Sequence, residues 1–257
     1  MAHEEIVRTV EGADTAVLFM HGICGSPIHF DTVLPMVDCV QENWSVYALR
    51  YPGHGGTADD FAASSMKQWR DYAGEVFRKL AQTHERIILV GHSMGNLFAM
   101  QLAADHPQKI PFVFMLAVPM RPWPSLTAVI NLSKMGFGKL NMDDPVEASY
   151  IRACGIRTTR KLWKYIGWVP RIVELFREAY KTEKRMGEIA VPVVAIQSRK
   201  DEMVSSRTLT VLRKNGIHDV ILLPDSTHFY YAPEDKKQVL REFSSRIEGL
   251  NISKAGS

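Results

Sequence analysis

The chain has 257 residues, which allows one α/β domain with an insertion or two small domains. Its formal net charge of +3 is too small to indicate nucleic-acid binding, and no apolar run is long enough to cross a bilayer. The first residues are acidic and lack the hydrophobic segment of a secretory signal. These properties are ordinary for a soluble globular protein.

The three cysteines are odd in number and far apart: Cys24, Cys39 and Cys154. They form neither a C-x-x-C pair nor a metal-binding cluster. We therefore expect free thiols and a location in the reducing cytoplasm.

Short apolar runs alternate with helix-like segments, which indicates an α/β fold with a mostly parallel sheet flanked by helices. Buried strands are predicted at 15–20, 45–49, 86–90, 112–117, 191–197 and 219–223, and an edge strand at 6–10. Two segments show a clear helical period, one beginning near Met66 and one near Val239. Their apolar stripes are typical of helices that pack on a core.

The pentapeptide Gly91-His92-Ser93-Met94-Gly95 lies between the predicted strand 86–90 and a predicted helix at 96–104. A G-x-S-x-G sequence in that context indicates a nucleophile elbow, a sharp turn that exposes the serine hydroxyl. The two glycines leave room where strand and helix approach each other. The alternative is a chance match in which Ser93 only caps the helix.

A serine nucleophile needs a histidine base, and the base needs an acid that orients it. In hydrolases with this elbow the chain order is serine, acid, histidine. Asp201 and His228 each follow a predicted strand by a short turn, so with Ser93 they fall at the carboxyl ends of parallel strands. Glu202 and Asp225 are rivals for the role of the acid.

An oxyanion hole requires backbone N–H groups that point at the tetrahedral intermediate. Met94 directly follows the predicted nucleophile and is the first expected donor. The loop after strand 15–20 contains Gly22 and Gly25, which let it bend close to a substrate, and Ile23 is the second expected donor. The alternative is a glycine turn without a catalytic role.

The alternation of strands and helices lapses between residues 120 and 190. This stretch holds 13 of the 31 Lys and Arg residues but 7 of the 28 Asp and Glu residues, so its charge is +6 against −3 for the remainder. We predict that 120–190 is an inserted cap, or lid, over a hydrolytic core formed by 1–119 and 191–257. Its basic character fits either a solvated helix face or transient contact with an anionic membrane.

These motifs resemble those of the α/β-hydrolase superfamily over nearly the whole chain. The matching residues are His21-Gly22, Tyr51-Pro52-Gly53-His54-Gly55, Gly91 to Gly95, Asp201 and His228. More narrowly, the chain resembles small bacterial carboxylesterases and monoacylglycerol lipases. The resemblance implies ester hydrolysis without a metal or organic cofactor. One departure is Thr227, where such enzymes commonly have glycine before the histidine.

The expected function is therefore that of a serine hydrolase acting on carboxylic esters, with short- to medium-chain acyl esters or monoacylglycerols as substrates. It would form an acyl-enzyme on Ser93. The alternatives are a thioesterase, amidase or C–C hydrolase with the same three residues, or a non-catalytic binding protein of this fold. The expected partner is a small ester with an apolar acyl or alcohol group. We expect no nucleic acid, no stable membrane insertion, and at most transient interfacial contact.

Overall fold

The computed structural model describes residues 3–255, and their side chains as far as residue 250. One seven-stranded sheet has the order β1-β3-β2-β4-β5-β6-β7. Only β1 runs antiparallel to its neighbour; the other pairs are parallel. The strands are β1 Ile6–Arg8, β2 Thr15–Met20, β3 Ser45–Ala48, β4 Arg86–His92, β5 Val113–Leu116, β6 Val193–Ser198 and β7 Val220–Leu223. The six predicted inner strands and the edge strand are confirmed, with ends shifted by one or two residues.

Helices connect the strands and cover both faces of the sheet. They are α1 Ala58–Ala63, α2 Met66–Thr83, α3 Met94–Asp105, α4 Leu126–Phe137, α5 Pro145–Ala153, α6 Val169–Arg185, α7 Arg207–Lys214 and α8 Pro233–Ala255. Every residue of β2 and of β5 is buried, because helices pack on both sides of these strands. Two hydrophobic clusters result, one on each face of the sheet. This is the α/β arrangement that the sequence predicted.

The stretch between β5 and β6 contains α4, α5, a 3₁₀ helix at Leu162–Trp168, and α6. Glu178 of α6 links this helix to α2 and α3. It is buried and accepts hydrogen bonds from Arg70 (2.9 Å) and Gln101 (3.0 Å). Whether 120–190 acts as a cap over a core of 1–119 and 191–257 stays a prediction. Within the described residues, no helix combines the length and apolar character that crossing a membrane requires.

Candidate active site

Ser93 occupies a strained turn between β4 and α3. Its φ is 48° and its ψ is −121°, a conformation that residues with a Cβ rarely adopt. A Cβ on Gly95 would lie 1.9 Å from the carbonyl oxygen of Met20, and one on Gly91 would lie 2.4 Å from Oδ1 of Asn96. Larger residues at either position would push strand and helix apart. The two glycines therefore permit the sharp turn, as the sequence predicted.

Ser93, His228 and Asp201 form one chain of hydrogen bonds. Nε2 of His228 lies 3.2 Å from Oγ of Ser93, and Nδ1 lies 2.9 Å and 3.1 Å from the two carboxylate oxygens of Asp201. All three side chains come from loops or turns at the carboxyl ends of β4, β6 and β7. A carboxylate can only accept here, so Nδ1 carries a proton and Nε2 is left to accept from the serine.

The loop after β6 fixes the Asp201 carboxylate. Its Oδ1 accepts hydrogen bonds from the backbone N–H groups of Met203 and Val204, both at 2.8 Å. The rival Asp225 lies in the next loop and pairs instead with Lys200 at 2.8 Å, where both side chains are exposed. Asp201 is therefore the acid that faces the imidazole.

Glu202, the other rival, has a different place in the site. Its Oε2 accepts the backbone N–H of His228 at 3.1 Å, and its Oε1 accepts the hydroxyl of Tyr150 at 2.8 Å. Tyr150 belongs to α5, in the stretch between β5 and β6. Glu202 thus links the loop that carries His228 to that stretch. The sequence signal for this was only the adjacency of Glu202 to Asp201.

The electrostatic surroundings distinguish His228 from the other buried histidines. Burial alone would lower the pKa of His228, but the Asp201 carboxylate and its hydrogen bond outweigh burial and raise it, with Glu202 acting in the same direction. Burial lowers the pKa of His29 to about 3 and also lowers that of His92. Nε2 of His92 donates to the carbonyl of His228 at 3.2 Å, so His92 helps to hold the loop of the base.

The backbone N–H groups of Ile23 and Met94 belong to residues next to Ser93: Ile23 lines the same cavity as Ser93, and Met94 follows Ser93 at the start of α3. Among the described residues, neither Ile23 nor Met94 donates its N–H to another protein group. The Ile23 loop is close, because a Cβ on Gly22 would lie 2.9 Å from Cβ of Ser93. Nδ1 of His21 donates to the carbonyl of Gly22 at 2.8 Å and fixes the loop's start. Both predicted oxyanion donors therefore have an N–H group that could donate to a bound substrate.

The stretch after α5 packs directly against the loop that contains Ile23. The N–H of Gly155 donates to the carbonyl of Cys24 at 2.7 Å, and a Cβ on Gly155 would lie 2.3 Å from the carbonyl oxygen of Gly25. Cys24 itself has a φ of 58°, a left-handed conformation. No sequence signal had indicated this contact. It fixes the position of the loop that contains Ile23, the second predicted oxyanion donor, from outside the sheet.

Ser93 and His228 line a cavity of about 230 Å³, and an apolar groove of about 650 Å³ lies beside it. Both spaces are lined by Ile23, Leu132, Ala153, Ile172, Met203 and Phe229. The groove is otherwise bordered mainly by α4, α5, the 3₁₀ helix and α6. Within residues 3–250, no group of three His, Cys, Asp or Glu side chains is placed to hold a metal ion.

A model of the alpha/beta hydrolase family matches residues 17–242. The chain belongs to this family. Its strand order and helices accordingly form the α/β-hydrolase fold. Solved structures with this fold include one of LipS and LipT, two metagenome-derived lipolytic enzymes, with a TM-score of 0.73, 21% identity, and coverage of 96% of this α/β hydrolase and 98% of that chain. A monoacylglycerol lipase of Paleococcus ferrophilus has a TM-score of 0.63 and 17% identity, over 94% of this chain and 98% of its own.

Similarity in sequence to curated proteins covers shorter stretches. The acetyltransferase component of the acetoin cleaving system of Cupriavidus necator is 40% identical over 100 residues, which cover 38% of this α/β hydrolase and 25% of that protein. A thermostable monoacylglycerol lipase of Bacillus sp. strain H-257 is 28% identical over 98 residues, 38% of each chain. The matches thus span well under half the length of these relatives.

Proposed function

We propose that this α/β hydrolase is a serine hydrolase that cleaves carboxylic esters through an acyl-enzyme on Ser93. The observation that carries the proposal is the hydrogen-bonded chain from Oγ of Ser93 through His228 to Asp201. The free N–H groups of Ile23 and Met94 support it, because acyl transfer needs donors for an oxyanion. The residues that carry these five groups all follow the carboxyl ends of parallel strands, which supports a common site.

In the first stage, Oγ of Ser93 attacks the ester carbonyl carbon while Nε2 of His228 takes the hydroxyl proton. The carbonyl oxygen becomes an oxyanion that the N–H groups of Ile23 and Met94 bind. In enzymes of this kind, one such donor contributes about 2.7–4 kcal/mol to the transition state. His228 then gives its proton to the leaving alcohol, and the acyl group stays on Ser93.

In the second stage, a water molecule gives a proton to Nε2 of His228 and attacks the acyl carbon. The oxyanion forms again at the same two N–H groups. Its collapse breaks the bond to Oγ of Ser93, which recovers the proton from His228, and the carboxylic acid leaves. Asp201 holds the Nδ1–H tautomer and stabilises the imidazolium in both stages.

The substrates that we propose are short- to medium-chain acyl esters or monoacylglycerols. The apolar groove of about 650 Å³ beside the Ser93 cavity supports an apolar acyl or alcohol group, because its walls offer few polar partners. The relatives that are named as monoacylglycerol lipases support the same class. We also propose the cytoplasm as the location, because Cys24, Cys39 and Cys154 are free thiols in the structure.

A substrate panel tests the function. Purified protein is assayed on p-nitrophenyl esters from short to long acyl chains, on 1-monoacylglycerols and on acyl-CoA thioesters, with Ser93→Ala as the control. We expect the highest kcat/KM on an oxygen ester with an apolar acyl chain, and none in the control. A higher kcat/KM on the thioesters would overturn the ester assignment while leaving Ser93 as nucleophile.

A further inference from the structure

The exposed apolar residues of the molecule are concentrated in one region. Among residues 3–250, every large hydrophobic side chain that is exposed, except Val7, lies between residues 120 and 190. Leu126 is 76% exposed and Ile166 is 70% exposed. Soluble proteins rarely leave contiguous apolar patches of this kind uncovered, so such a patch marks a contact surface.

Helix α6 shows why these residues are not simply the edge of a core. Its buried side already faces the covering helices, through Leu175, Glu178, Ala179 and Thr182. A second set of apolar residues recurs at helical spacing on the solvent side: Val169, Ile172, Val173, Phe176 and Tyr180. An ordinary surface helix buries its apolar stripe, whereas α6 buries a mixed stripe and leaves an apolar one exposed.

Helix α4 repeats this arrangement. Leu126, Val129, Ile130 and Phe137 fall on one side of the helix and are exposed, while Ala128, Asn131 and Met135 are buried. Residues of α4, of the 3₁₀ helix and of α6 together border the apolar groove. Exposed apolar residues of all three helices, among them Val129, Leu162 and Val169, therefore border this one groove, and the others lie on the same helices. We call all of these residues the apolar face.

Positive charge accompanies the apolar face. Arg177, Lys181 and Lys184 are exposed on α6, at spacings that put them beside Val173 and Tyr180 on the helix surface. Nζ of Lys184 lies 4.4 Å from the centre of the Tyr180 ring. The whole stretch 120–190 has a charge of +6, against −3 for the remainder. The occupant of the face should therefore be apolar and anionic.

A second copy of the chain does not meet that requirement. A twofold dimer would place the same basic stretch of both copies against each other, and like charges at an interface oppose association. An anionic lipid surface has both required properties, since its headgroups attract lysine and arginine and its acyl region accepts the aliphatic and aromatic side chains. Residues of this same face border the groove that lies beside the Ser93 cavity.

We propose that the apolar face docks on anionic lipid surfaces, with the groove mouth against the lipid. Leu126, Ile166 and their neighbours enter the headgroup boundary, and the α6 cations lie at headgroup level. Docking of this kind does not depend on the ester chemistry at Ser93. It concerns where the protein binds, so its failure and the failure of the hydrolytic function are separable.

Vesicle binding tests the proposal directly. Full-length protein is mixed with sedimentable vesicles of phosphatidylcholine with and without phosphatidylglycerol, and the bound fraction gives a partition constant. We expect binding that requires phosphatidylglycerol and weakens as salt is added, because salt screens the charges. The double variant Leu126→Asp, Ile166→Asp should bind roughly tenfold or more weakly, since two exposed apolar side chains no longer enter the lipid.

Val7→Asp is the matched control. Val7 is 54% exposed on the edge strand β1, so the same apolar-to-acidic change is made outside the apolar face. This variant should bind vesicles as the wild type does. Leu126 and Ile166 do not line the groove, so the double variant should keep the wild-type kcat/KM on p-nitrophenyl acetate. That activity also shows that the double variant is folded.

Charge is tested by Arg177→Gln with Lys184→Gln, against Lys79→Gln on α2, which is exposed and outside the stretch. The α6 pair should weaken binding to phosphatidylglycerol vesicles by severalfold, and Lys79→Gln should not. If the wild-type protein bound neither vesicle type, the proposal would be overturned. So would a dimer, measured by sedimentation equilibrium, that the Leu126→Asp, Ile166→Asp change dissociates.

Discussion

The loops at the carboxyl edge of the sheet and the helices of 120–190 are built in different ways. Backbone hydrogen bonds and tight glycines fix the loops; Gly95 and Gly22 leave no room for a side chain, and Asp201 accepts two backbone N–H groups. The stretch 120–190 is joined to the rest of the chain by side-chain contacts such as that of Tyr150 with Glu202 and by a few backbone hydrogen bonds, and its helices leave apolar residues in solvent. The first region is suited to chemistry that tolerates little movement, and the second to the choice and delivery of substrate.

The largest effect expected is that of Ser93→Ala. Loss of the nucleophile should lower kcat on an ester by about 10⁶, as in a serine protease with the same three groups. The melting temperature should stay within a few degrees, since only the 3.2 Å contact with His228 is lost. Ester assays and calorimetry on the same preparation check this. Extensive unfolding of the variant would mean that Ser93 has a structural role.

The next effect expected is that of Asp201→Asn, which should lower kcat by about 10⁴. The control is Asp225→Asn, at an exposed residue whose partner is Lys200, and it should leave kcat nearly unchanged. A large loss with Asp225→Asn and none with Asp201→Asn would reverse the assignment of the acid.

The pH profile provides a separate check on the same pair. The wild-type base must be neutral, and Asp201 raises the pKa of His228 above its ordinary value of 6.5. Activity should therefore fall as the pH drops through that raised pKa, so the acid limb of kcat/KM lies above 6.5. In Asp201→Asn the raising interaction is lost and burial remains, so the limb should move to lower pH. A limb that did not move would contradict the pairing.

Gly155→Ala tests whether the stretch 120–190 positions the loops at the carboxyl edge of the sheet. The new Cβ would lie 2.3 Å from the carbonyl oxygen of Gly25, so the Ile23 loop must shift. We expect a loss of up to about 10² in kcat, as a misplaced oxyanion donor would produce, and destabilisation by about 1–3 kcal/mol. Gly187→Ala is the matched control, because a Cβ there would meet nothing within 4 Å. Equal behaviour of the two variants would contradict the contact.

The smallest effect expected is that of Tyr150→Phe. The change leaves Glu202 with the backbone N–H of His228 but without the Tyr150 hydroxyl. A hydrogen bond to a charged group contributes about 1.5–3 kcal/mol, so stability should fall by that order, and kcat by about tenfold with KM less affected. Tyr165→Phe is the control, since the Tyr165 hydroxyl bonds only to the backbone of Thr159. A rise in KM with kcat unchanged would mean instead that Tyr150 serves substrate binding.

The sheet and the candidate site could be predicted largely from sequence, because each depends on local patterns. Buried strands such as Thr15–Met20 are continuous apolar runs, and the G-x-S-x-G turn must follow a strand. The contacts of Gly155 and Glu202 could not be predicted, because they join residues distant in the chain. The exposure of the apolar stripe of α6 could not be predicted either, since periodicity does not show which side of a helix a core covers.

The most direct test of the central claim is covalent labelling with a fluorophosphonate, followed by peptide mapping of the folded protein. The account predicts one modified residue, Ser93, with labelling lost in His228→Ala because the hydroxyl no longer has a base. Labelling that is absent from the folded wild type, or that falls on another residue, would contradict the claim that Ser93, His228 and Asp201 act together.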